Sequence, residues 1–118
     1  MLIILVAMAL ALSSCSGGEP APDLSEAALE GRAVALDRGC AACHGENGEG
    51  GVGPGWLGLS GSTVELEGGG TVLADDAYLR RAIVDPDSEV VAGSSISMPV
   101  TNLSDREVEA LIAYIKEL

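Results

Sequence analysis

The sequence predicts an all-α domain with a small β-hairpin inserted in it, and three observations carry that expectation. The clearest is the C-terminal segment, where Ser104 and Glu107 form a capping box and Val108, Leu111, Ile112, Ile115 and Leu118 follow at helical spacing. The second is punctuation: Gly39 closes one apolar-periodic stretch and Pro86 closes another. The third is compositional. Among 118 residues there is no Phe, one Trp and two Tyr, so the rings that usually anchor a small core are nearly missing. A domain of roughly 90 residues is marginal on its own surface-to-volume ratio, and a buried prosthetic group is one way to supply the absent apolar mass.

Residues 1–14, MLIILVAMALALSS, carry no charge, and the apolar run from Leu2 to Leu12 falls short of the roughly 20 residues that cross a bilayer. It fits the apolar region of an export signal, although no Lys or Arg precedes it. Leu12-Ser13-Ser14-Cys15 resembles the lipobox of bacterial lipoproteins, which implies a lipid on Cys15 as the mature N-terminus. Residues 15–22 then read as a lipidated cysteine and flexible linker, small, polar and proline-bearing, and residues 23–118 as the folded domain.

Along the domain, Asp23 with Glu26 suggests a capping box for a helix that runs to about Arg38, with Ala28, Gly31 and Ala35 as a small-residue stripe on one side. Gly45 to Gly61 is a glycine-rich loop. It is not a phosphate cradle, because no G-K-[ST] follows. Thr63 to Glu67 and Thr71 to Ala74 flank Gly68-Gly69-Gly70 and predict the hairpin. Asp75 or Asp76 caps the next helix, whose Tyr78, Leu79, Ala82 and Ile83 share a side and whose Arg80 and Arg81 suit the C-terminal end of the dipole. Asp85, Asp87 and Glu89 lack the turn glycine and closing glutamate of a calcium loop and read as solvated acids.

Eighteen acidic residues against six basic ones give a net charge of −12, and every charged side chain lies at Glu19 or beyond. Such a surface repels nucleic acid and anionic headgroups, so neither a nucleic-acid partner nor polybasic membrane binding is expected.

Cys40-Ala41-Ala42-Cys43-His44 admits a zinc site, a dithiol redox pair or covalent attachment of haem. With Cys15 lipidated, Cys40, Cys43 and the single histidine, His44, make three ligands where structural zinc takes four. A thioredoxin-type pair belongs in a βαβ context, whereas these cysteines follow a helix and enter a glycine loop. Haem remains: two thiols for its vinyl groups and an adjacent histidine for one face of the iron. No second histidine exists for the other face. Met98, the one methionine outside the leader, lies in a loop before the last helix, and a thioether is a suitable soft ligand.

From Leu24 to Leu118 the chain resembles the class I, mono-haem cytochromes c, and most closely the cytochrome c domain fused to subunit II of some bacterial cytochrome oxidases. The likeness rests on CAACH, on GPGWLGLSGSTVELEGGGTVLADDAYLRRAIVDP and on SMP. It implies the class I cytochrome c fold, with helices around one covalently bound haem c. It also implies that the helix before Cys40 crosses the last helix with Gly31 against Tyr114. Pro54 would accept a hydrogen bond from the His44 ring, and Trp56 would stand against the haem face where a leucine is usual. Ala35 stands at a position commonly aromatic.

The expected function is one-electron transfer by a membrane-anchored carrier with a His44/Met98-ligated iron, exported to the periplasmic or extracytoplasmic side of a bacterial membrane, and no catalytic residues. Its expected partner is a membrane respiratory complex or redox carrier with a basic docking patch. The competing expectations are a haem subunit of a larger oxidoreductase, and a gas sensor or peroxidase-like enzyme if Met98 does not bind iron.

Overall fold

Residues 23–118 are described by a computed structural model; the apolar leader, Cys15 and the linker lie outside the described residues. The element order is α1 (Glu26–Asp37), α2 (Ala41–His44), β1 (Thr63–Glu65), β2 (Thr71–Leu73), α3 (Asp76–Val84) and α4 (Asp105–Lys116). The mainly helical fold with one two-stranded hairpin is the one expected. The short helix α2 was not, because four residues are too few to show a periodicity.

The frame is the crossing of α1 on α4. On α1 the buried residues are Ala28, Gly31 and Ala35, the small stripe; on α4 they include Val108, Leu111, Tyr114 and Ile115. Gly31 sits at the point of contact, where a Cβ would collide with the carbonyl of Ala110 and come within 2.7 Å of the Tyr114 Cβ. Only hydrogen fits there. Ala35, small where the resemblance anticipates a ring, is nonetheless buried in the same core.

The caps follow from local chemistry, with one correction. Ser104 and Glu107 form the reciprocal capping box of α4, and Asp75 caps α3 through a 2.7 Å bond from the Tyr78 N–H. The cap of α1 is Ser25, not Asp23. Its Oγ accepts from the Ala28 N–H at 3.2 Å, while its own N–H and O–H donate to the Glu117 carboxylate at 2.8 and 2.5 Å. Those two bonds join the start of α1 to the end of α4 and hold the Glu117 carboxyl below the usual carboxylate range.

Ion pairs lace the same helices. Arg38 meets Glu107 at 2.6 Å and Arg106 meets Glu30 at 2.8 Å across α1 and α4, and Lys116 meets Asp76 at 2.9 Å across α4 and α3. Arg80 reaches from α3 to Asp105 and Glu109 of α4, so its charge serves a neighbouring helix rather than its own dipole. Exposed pairs of this kind contribute about 0–1 kcal/mol each, so they select the register and burial supplies the stability.

The hairpin pairs Thr63 with Leu73, Val64 with Val72 and Glu65 with Thr71, around Gly68, Gly69 and Gly70, all of which take the left-handed φ that a side chain disfavours. β1 and β2 are shorter at their ends than the alternation suggests. At Leu66 the backbone turns to bridge Val91: the Glu67 N–H donates to Val90 at 2.8 Å and the Ala92 N–H to Glu65 at 2.9 Å. A segment that leads to Met98 is thus laid along the open edge of the hairpin.

Gly31→Ala tests the crossing. Alanine gains roughly 1 kcal/mol of helix propensity, but the backbone it meets cannot yield as a side chain would. A net destabilisation of about 1–3 kcal/mol is expected from overpacking, read as a lower midpoint in denaturant. An unchanged midpoint would mean that the helices do not approach this closely.

Candidate functional site

α2 is a single turn that begins at the first cysteine. The N–H groups of Cys43 and His44 return to the Cys40 carbonyl at 3.2 and 3.0 Å, so one turn presents Cys40, Cys43 and His44 in a fixed relation. Its last carbonyls would be orphaned, but the glycine loop folds back under them. The Gly50 N–H donates to His44 at 2.7 Å and the Gly53 N–H to Cys43 at 2.9 Å.

His44 is 7% exposed. Its Nδ1 stands 2.7 Å from the carbonyl oxygen of Pro54, a partner that can only accept, so Nδ1 carries the proton and the Nε2 lone pair is left for a metal. The close fit extends to Gly53, where a Cβ would lie 3.0 and 3.1 Å from His44 Cε1 and Nδ1. The indole of Trp56 stacks on the imidazole, with ring centroids 4.7 Å apart and planes inclined by 22°. Tyr114 meets the indole edge-to-face at 6.1 Å. The ring from the helix crossing therefore backs the ring that backs the histidine.

Beside this stack opens a cavity of ≈ 420 Å³. Cys43, His44, Pro54, Trp56 and Met98 all contribute to its wall, whereas Cys40 packs against the core and is not part of that wall. Cys15 lies outside the described residues. The cavity has the size of a small-molecule or cofactor site, and its wall is largely aliphatic and aromatic: Val64, Leu79, Ala82, Ile83, Val91 and Ile115 among others. A planar apolar macrocycle with two thiol attachment points, one imidazole and one thioether fits this donor set. A closed zinc site does not: among the described residues no three His, Cys, Asp or Glu side chains converge to hold a metal ion. Cys40 and Cys43 form no disulfide with each other, and before any attachment burial pushes the Cys40 thiol up, with the neighbouring Cys43 adding to the rise.

Two parts of the wall escaped the sequence reading. The apolar side of α3, read only as four residues that share a side, faces the cavity through Tyr78, Leu79, Ala82 and Ile83. Burial and the charge of Glu89 push the Tyr78 phenol up, against the opposing pull of Arg81. The stretch from Pro86 to Ser97 forms the far wall. Its only local signal was the β-branched pair Val90-Val91, which marks an extended segment without saying what it pairs with.

A family model described as Cytochrome c matches residues 28–118. No curated protein matches the chain.

Gly53→Ala is the sharpest probe of the imidazole's seat. The backbone tolerates alanine, but the ring must move by a few tenths of an ångström, so the Nδ1 proton resonance should shift and the holoprotein should lose about 1–3 kcal/mol. An unmoved resonance would place the ring elsewhere.

Proposed function

The chain belongs to the cytochrome c family, and from that premise we propose a membrane-anchored one-electron carrier in which His44 and Met98 are the axial ligands of the iron and a lipid on Cys15 is the anchor. Membership brings a covalently attached haem c, for which Cys40 and Cys43 stand at the required spacing, and haem-based electron transfer. In bacteria such domains are typically extracytoplasmic, and among the described residues no helix is long and apolar enough to cross a membrane.

The observation that carries the ligand assignment is that a proton-fixed imidazole and a thioether line one cavity. The haem supplies an iron that gains and loses one electron. Everything else is done by the chain. Pro54 keeps the proton on Nδ1 so that Nε2 remains a donor. Met98 offers a soft sulfur that favours the reduced metal. The apolar wall built by α3, α4 and the hairpin would keep water from the metal, so that little would rearrange when the charge changes.

Met98→Ala tests the assignment. The ferric far-red band of an iron–thioether bond should vanish, the potential should fall and the reduced protein should bind carbon monoxide. An unchanged spectrum would reject Met98 and favour a sensor or enzyme with another or no sixth ligand.

The proposed partner is a membrane respiratory complex or redox carrier that presents a basic patch. Among the described residues five of the six basic side chains, all but Arg32, are engaged in ion pairs, which leaves an outward field that is negative. Complementary charge chiefly raises the encounter rate. The second-order rate with the partner should therefore drop steeply as salt shortens the Debye length from roughly 30 to 10 Å, and Cys15→Ala should release the domain from the membrane fraction. A salt-indifferent rate or an undiminished membrane fraction would each refute its part.

A further inference from the structure

Trp56 does more than fill space beside His44. Its backbone N–H is pinned to the Gly48 carbonyl at 2.7 Å, the residue is 7% exposed, and one edge-to-face contact with Tyr114 holds the indole from behind. The tyrosine itself cannot retreat, because its Cβ lies where α1 and α4 touch at Gly31. The indole is therefore held against the imidazole at 4.7 Å and 22° by the loop backbone at Gly48 and by the ring at the helix crossing.

An indole presents a negative π face, and that face attracts positive charge, by about 0.5–2 kcal/mol depending on desolvation. When the imidazole binds iron through Nε2, it shares the metal's charge, and it shares more of it when the metal is ferric. No Lys or Arg contributes to the wall of the cavity, so no side-chain cation there offsets the effect.

We propose that Trp56 is a positioning residue that sets the reduction potential: stacked on His44, its π face stabilises the oxidised state and holds the potential below the value that the same ligands would give without it. The inference rests on His44 as an iron ligand. No atom is transferred; the single electron that arrives at the metal from the redox partner is simply bound less tightly than it would be beside an aliphatic neighbour.

Because the chain has one tryptophan, biosynthetic replacement by fluorotryptophans changes this site alone. Fluorine withdraws the face's negative charge while keeping the ring's shape and apolarity, so a merely structural role would leave the potential unmoved. A rise graded with fluorine number is expected. At a fixed ambient potential the most fluorinated ring should shift the ferric-to-ferrous ratio about threefold toward ferrous, roughly 28 mV for a one-electron couple at 59 mV per tenfold. Trp56→Leu should raise the potential and Trp56→Phe should return part of the rise; if the leucine variant fails to hold haem, the fluorinated series stands without it. A potential flat or falling with fluorine number overturns the inference. The ferric spectrum of the unlabelled protein separates the two readings: without a low-spin histidine-ligated signature the ligand assignment and this inference both fall, whereas that signature with a flat series removes the role of Trp56 alone.

Discussion

Everything at the site traces back to one close approach, that of Gly31 to the backbone of Ala110. Because no side chain separates the helices there, Tyr114 can stand in the core at 1% exposure with its ring directed at Trp56. Trp56 in turn stands against His44. A hydrogen atom on one helix thus decides where an aromatic ring on another is placed, and two contacts later where an imidazole is placed. Of the three Trp and Tyr rings in the chain two stand on this line, and the third, Tyr78, lines the cavity from α3.

The glycine loop solves a different problem. A four-residue helix leaves most of its carbonyls without helical partners, and it carries the groups that must be held most firmly. The loop supplies N–H groups from Gly50 and Gly53 to the carbonyls of His44 and Cys43, and it can do so because its backbone approaches where a Cβ would intrude. Pro54 is then delivered to Nδ1 as a consequence of the loop's path. The loop is a mould for α2, and its glycines are steric requirements more than flexible joints.

How much of this the sequence disclosed depends on how local the cause was. α4 and α3 were legible because a cap, a stripe and a stop all lie within one segment. The haem motif was legible because five consecutive residues carry it. Ser25 was misread in favour of Asp23, since both residue types cap helices and the deciding partner, Glu117, lies at the far end of the chain. The His44–Trp56 stack and the pairing of Val90 to Ala92 with the hairpin were not legible for the same reason: each joins segments whose relation is fixed only by the folded loop between them. The resemblance placed Tyr114 against Gly31, which spacing alone could not.

The edge pairing at Val90–Ala92 has a consequence for how the protein comes apart. Between that ladder and the capping box at Ser104, residues 93–103 run with only two backbone hydrogen bonds of their own, from Ser94 to Val91 and from Leu103 to Thr101. The span is fastened at both ends, and in its middle Met98 lines the cavity. Few backbone bonds mark a segment that opens at lower cost than packed helices, so the strap that carries Met98 is expected to open before the frame of α1 and α4 does.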